Sequence, residues 1–131
     1  MEITSDNHQR KILIVDDSTT IRYLLRLTLS DPRFILFEAD SSEKALPIIK
    51  NESPELIVLD VMMPGDMNGF QLCQMIKAWP NAQQYKIILL TACTQQDDLE
   101  QGQQAGADYY LTKPFSPIDL MGIIHQILPN Q

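Results

Sequence analysis

Basic residues are scarce in this chain. Ten Lys and Arg stand against seventeen Asp and Glu, for a net charge of -7 at pH 7. The ten are scattered, which excludes the clustered Lys and Arg of a nucleic-acid-binding surface. Cysteine is scarcer still. Cys73 and Cys93 are the only two, and they match no CxxC or Cys/His spacing, so neither a zinc site nor a dithiol motif is written here. Both sit in apolar surroundings and read as small buried hydrophobes. The two histidines, His8 near the start and His125 in a late helix, have no partner that would make either a ligand or a base. No run approaches the roughly 18 apolar residues of a membrane span. The polar stretch Met1 to Arg10 lacks the apolar core of a secretory signal. A cytoplasmic location is expected, with no membrane and no direct nucleic-acid partner.

What is present is one domain's worth of chain. The 131 residues, 44% hydrophobic and 21% charged, suffice for a single core and are too few for two. A flexible extension is expected at residues 1–10, a folded domain at 11–128 and a short tail at 129–131. Short apolar runs at 11–15, 34–37, 56–59, 87–90 and 109–111 are strand length. Being apolar on both faces, they suit a parallel sheet covered on both sides. Helical patterns separate them. Ser18 can cap a helix to about Leu29, with Ile21, Leu24, Leu25 and Leu29 inward. Asp40 and Glu43 form a capping-box pattern for a helix to about Lys50, which Pro47 should kink or shorten, or whose start it should move toward Pro47 itself. A third helix follows Gly69, with Phe70, Leu72, Cys73 and Ile76 facing inward. The fourth, near 95–104, is polar except for Leu99. The fifth starts at Ser116 as cap, with Pro117 first and Asp119 in the first turn, and buries Ile118, Met121, Ile124 and Leu128.

The order is βα five times over. Right-handed crossovers make this an α/β protein, a (βα)5 three-layer sandwich around a doubly wound parallel five-stranded sheet. Such sheets carry their sites at the C-terminal ends of the strands. There the sequence reads Asp16-Asp17 after the first strand, Asp60 after the third, Thr91 after the fourth and Lys113 after the fifth. Three carboxylates, a hydroxyl and an ammonium are thus expected at one edge. Two carboxylates about 4 Å apart repel by roughly 4 kcal/mol at an effective dielectric of 20. Protons or a hard divalent cation relieve this. Oxygen ligands with room for water suit Mg²⁺, and Mg²⁺ beside a free carboxylate is a site for phosphoryl transfer.

These residues resemble the receiver family of two-component response regulators, from about Lys11 to Leu128. The matching pieces are Asp16-Asp17, Asp60-Val61-Met62-Met63-Pro64-Gly65, Thr91-Ala92, Gly106-Ala107-Asp108-Tyr109-Tyr110 and Lys113-Pro114-Phe115. The resemblance implies the flavodoxin-like strand order 2-1-3-4-5. It implies Asp60 as the phosphoacceptor, phosphorylated with Mg²⁺ by a sensor histidine kinase or a histidine phosphotransfer protein. Asp17 would bind the metal directly, Asp16 mainly through water, and Met62 through its backbone carbonyl. Thr91 would hydrogen-bond the phosphoryl group and Lys113 would ion-pair with it, across a cis bond to Pro114. Tyr110 would be the aromatic switch on strand five, turning inward as Thr91 is captured. The implied activity is a signalling switch, not a turnover enzyme. It catalyses its own phosphorylation and slow dephosphorylation, and offers its β4-α4-β5-α5 surface to a downstream effector as a monomer or a weak phosphorylation-dependent dimer.

The chain departs from the family pattern in places. The loop 64–69 carries one extra residue, and Pro47 is atypical. Met62 and Cys93 stand two residues beyond Asp60 and Thr91, where neither orients an attacking water, so slow hydrolysis of the aspartyl phosphate is expected. Three other readings compete. An aspartate-nucleophile phosphohydrolase needs a second acid where Met62 stands. A flavodoxin-like electron carrier would set Asp16-Asp17 against a flavin phosphate. A phosphorylation-independent pseudo-receiver scaffold should have lost some of the acids or the lysine.

Overall fold

The computed structural model describes residues 9–92 and 96–128, without the side chains of 96–99 and 102. Five strands alternate with five helices: β1 (Arg10–Val15), α1 (Thr19–Thr28), β2 (Phe34–Ala39), α2 (Ser42–Glu52), β3 (Leu56–Asp60), α3 (Gly69–Lys77), β4 (Lys86–Thr91), α4 (Gln96–Ala105), β5 (Tyr109–Thr112) and α5 (Pro117–Ile127). All strand pairs are parallel, in the order β2-β1-β3-β4-β5. The expected (βα)5 sandwich and strand order are both found.

The period-2 alternation of a strand divides the core in two. Leu13, Val15, Ile57, Leu59, Ile87 and Leu89 face Ala45 and Ile49 of α2, Leu72, Cys73 and Ile76 of α3, and Ala105 of α4. Ile12, Ile14, Leu56, Val58, Ile88 and Leu90 face Leu25 and Leu29 from α1 and Leu120, Ile124 and Leu128 from α5. β3 is buried along its whole length, whereas the edge strand β2 is mostly half-buried and β5 is half-buried in its middle and exposed at both ends. This double burial explains why the inner runs are apolar without alternation.

Some local expectations shift. β1 begins at Arg10, one residue before the expected start, because Arg10 N–H donates to Arg33 O at 2.8 Å. The cap of α2 is Ser41, whose side chain accepts from Lys44 N, and not Asp40, which pairs with Lys44 at 3.3 Å. Pro47 neither shortens α2 nor moves its start; the helix runs from Ser42 to Glu52. Both Pro47 and Glu43, whose carbonyl loses the i+4 donor, lie on the exposed side, where water can take the missing N–H's place. In α1 the buried ridge is Leu25 and Leu29 at i, i+4, and Leu24 turns outward at 43% exposure. In α5 the ridge is Leu120, Ile124 and Leu128. Ile118, expected inside, is 82% exposed in the first turn, off that ridge. The caps of α1 and α5 are Ser18 and Ser116 as expected. Cys93, Leu99, residues 1–8 with His8, and the tail 129–131 lie outside what is described.

At the end of the sheet away from the strand C-termini, Lys77 ties three elements together. Its Nζ donates to Tyr85 O at 2.7 Å and to Asp108 Oδ2 at 2.9 Å. That same oxygen accepts Ile87 N–H at 2.8 Å, while Asp108 N–H donates to Ile87 O at 2.9 Å. The starts of β4 and β5 are thereby joined to each other and to the end of α3.

Candidate functional site

Four of the five strands, β1, β3, β4 and β5, deliver polar groups to the C-terminal edge. Asp16 follows β1 and keeps the strand's pairing through its N–H to Ala39 O at 3.1 Å. Its Oδ1 accepts Ser18 N–H at 2.9 Å, so the turn into α1 is closed by a local Asx-type bond. Asp60 is the last residue of β3. Thr91 closes β4 and is buried, and Lys113 N–H donates to Thr91 O at 2.8 Å just beyond β5. The Lys113–Pro114 bond is cis, as the resemblance implied.

The side chains converge. Lys113 Nζ lies 3.0 Å from Asp60 Oδ1 and 3.1 Å from Asp16 Oδ2. One carboxylate oxygen from each of Asp16, Asp17 and Asp60 lies within 4.8 Å of the others. Asp16 and Asp60 are buried and Asp17 is exposed, so the trio opens to solvent on the Asp17 side. Three carboxylates face one ammonium, an excess of negative charge that the cluster cannot relieve alone. Burial pushes the Asp60 carboxyl up to about 6; the Lys113 hydrogen bond opposes this and the Asp16 charge adds to it. Burial alone would lower Lys113, but its bonds to Asp60 and Asp16 prevail and raise it. Both partners therefore shift upward, Asp60 because its charge is poorly solvated and Lys113 because its charge is doubly paired.

A hard divalent cation fits this donor set. All the offered atoms are carboxylate oxygens, the ligand type of Mg²⁺. Asp16 Oδ2 is fully buried and receives no aligned hydrogen bond, only the ion pair with Lys113.

Among the other expected site residues, Met62 N–H donates to Asp60 Oδ1 at 3.3 Å, and the Met62 side chain is 64% exposed. Tyr110 is not among the converging groups. It pairs in register with Leu89, two residues before Thr91, and is half-buried against the core on the α2-α3-α4 side. Thr91 follows Ile87 and Leu89 in the alternation of β4, so the Thr91 and Tyr110 side chains address the same face of the sheet.

Gly69 carries more of the site than its reading as a helix start implied. Its N–H donates to Val61 O at 2.9 Å. A Cβ at this position would overlap the carbonyl oxygen of Asp60 and lie 2.8 Å from Val61 Cα. The helix it begins is fixed by a reciprocal capping box between Asn68 and Gln71. That box is a readable signal, and it fixes where α3 begins after the loop.

The sequence profile of the response regulator receiver domain matches residues 12–125. The phosphate regulon transcriptional regulatory protein PhoB of Pseudomonas aeruginosa is 37% identical over 119 residues, which is 91% of this chain and 52% of PhoB. A protein described as the transcriptional regulator ycf27 in Porphyridium aerugineum is 39% identical over 92% of this chain and 48% of its own length. The chain thus spans about half the length of these curated relatives. Among solved structures, the chemotaxis protein CheY4 of Vibrio cholerae superposes with a TM-score of 0.81 at 30% identity, covering 92% of this chain and 99% of that one. A BeF3-activated DrrB receiver domain gives 0.83 at 32% identity, covering 93% and 99%.

Proposed function

Since this chain belongs to the response regulator receiver domain family, a family of phosphorylation-dependent signalling switches, we propose that Asp60 is its phosphoacceptor and that the acidic trio works with Mg²⁺. The observation that supports this most is Lys113 bridging Asp60 and Asp16 while all three carboxylates stand within reach of one ion. Bound Mg²⁺ would supply charge neutralisation for the transferring phosphoryl group. Asp16, Asp17 and Asp60, with the Met62 carbonyl, are the groups that would hold it.

Both hydrogen bonds to Asp60 fall on Oδ1, which leaves Oδ2 as the attacking atom. It forms a bond to phosphorus as the P–N bond of a phosphohistidine donor breaks, and the imidazole keeps the electron pair and takes a proton. Lys113 holds the equatorial charge and Thr91 donates its hydroxyl to a phosphoryl oxygen. Capture of Thr91 draws the end of β4 inward, and Tyr110, on the same face two residues lower in the register, answers by changing its packing. The β4-α4-β5-α5 surface then presents a different face to an effector protein. The donor is a sensor histidine kinase or a phosphotransfer protein. No helix among the described residues is long and apolar enough to cross a membrane.

Acetyl phosphate supplies a direct test. The chain should acquire one acid-stable, base-labile phosphoryl group with Mg²⁺ present and none with excess EDTA; labelling that ignores EDTA would end the reading. The Met62 side chain has no strong hydrogen-bonding group to orient a water, so the acyl phosphate should persist. Met62→Asn should speed its loss several-fold, about 2- to 10-fold, in a phosphate-release assay. An unchanged rate would place the control of lifetime elsewhere.

A further inference from the structure

We propose that Arg22, held by Glu38, is a positioning residue for the acidic site, fixing the peptide that joins Asp16 to Asp17. The inference rests on the Mg²⁺ reading given above. Arg22 Nη1 donates to the backbone carbonyl of Asp16 at 2.7 Å, and its Nε donates to Glu38 Oε1 at 3.1 Å. Glu38 is gripped in turn by Arg26, whose Nη1 lies 2.8 Å from both carboxylate oxygens. The Arg22 side chain is 18% exposed and that of Glu38 28%, so this chain of bonds lies partly out of water, where charge-assisted bonds hold their geometry best.

The placement matters because the two acids are held differently. Asp16 is anchored through its own N–H, its Oδ1 and its ion pair. Asp17 is exposed, and its carboxylate starts from the peptide plane that Arg22 holds. Mg²⁺ demands near-octahedral geometry at about 2.0–2.1 Å, so a small rotation of that plane carries Asp17 out of range. Arg22 thus acts behind the ligands, as partners of metal ligands commonly do.

Charge alone makes the opposite prediction. Arg22 is a cation beside a cation site, and deleting it should tighten Mg²⁺ by removing repulsion. The sign of the change therefore separates positioning from electrostatics. Calorimetric Mg²⁺ titrations at constant ionic strength, paired with urea unfolding in EDTA, would compare wild type with Arg22→Ala, Arg22→Lys and Glu38→Gln.

Arg22→Ala should weaken Mg²⁺ binding by about 10-fold or more. Arg22→Lys should fall between, because a lysine reaches the carbonyl or Glu38 as a point charge but cannot bridge the two as the guanidinium does. Glu38→Gln should cost less than either. A folded Arg22→Ala protein that binds Mg²⁺ as tightly as wild type, or more tightly, overturns the proposal whatever its urea midpoint. Should Arg22→Ala not fold, wild-type affinity in both the Lys and the Gln variants overturns it equally. Wild type that binds no Mg²⁺ overturns the metal reading and this inference together, whereas a binding wild type with indifferent variants overturns this inference alone.

Discussion

Asp60→Asn should abolish phosphoryl labelling while making the metal-free protein more stable. The loss comes from removing the nucleophile. An amide oxygen cannot form the acyl phosphate, so Mg²⁺-dependent incorporation from acetyl phosphate should drop at least about a hundredfold. The gain comes from the electrostatics of the trio. Unfolded, the Asp60 carboxyl titrates near 3.8, and in the fold burial pushes it up to about 6. The folded state therefore prefers the protonated acid. That preference contributes fully below about 3.8 and is lost as pH rises through about 6, so at neutral pH the charge is a cost. Removing it should stabilise the variant by about 1–2 kcal/mol near pH 7.5, a value discounted for the opening toward solvent. About half of that should remain near pH 5, as read from urea midpoints in EDTA. Saturating Mg²⁺ should close the gap by stabilising wild type more than the variant. A variant that is less stable at neutral pH would mean that Asp60 is held by attraction to Lys113 and not strained by its neighbours.

Gly69→Ala should act in the same direction on function and in the opposite direction on stability. A methyl group there would overlap the Asp60 carbonyl and press on Val61 Cα. Those are backbone atoms of Asp60, at the end of β3, and of the residue that follows it, so no side chain can swing aside to make room. Either α3 moves away from β3, breaking the Gly69 N–H bond to Val61 O, or the end of β3 bends. The cost should be about 2–4 kcal/mol by chemical denaturation. Labelling of the remaining folded protein should fall because Asp60 no longer lines up with Lys113. Wild-type stability in this variant would show that the close approach is absent in solution.

The edge where the chemistry collects was readable because strand ends are punctuated. Asp16-Asp17, Asp60, Thr91 and Lys113 each break an apolar run abruptly, and the parallel topology brings those breaks together. What did not read out depends on orientation, which periodicity constrains only loosely. Leu24 and Ile118 looked like core residues by spacing alone. The buried ridges are narrower than the spacing suggested: Leu25 and Leu29, expected inside, form that of α1, and Leu120, which the spacing did not single out, joins Ile124 and Leu128 in that of α5. Pro47 looked like a breaker because it removes the hydrogen bond to the Glu43 carbonyl and crowds it, but here that carbonyl lies on the exposed side of α2. The roles of Gly69 and Arg22 were hidden because both act on main-chain carbonyls, of Asp60 and Asp16, and a one-letter string shows no main chain.

The knot of Lys77, Tyr85, Asp108 and Ile87 clamps β4 and β5 at their roots, like the tines of a fork set in one handle. Displacement of such tines grows with distance from the handle. The same push therefore yields the largest travel at the tips, where Thr91 and Lys113 sit, and almost none at the grip. If Asp60 takes a phosphoryl group as proposed, that group arrives at the tips, as far from the clamp as the two strands allow.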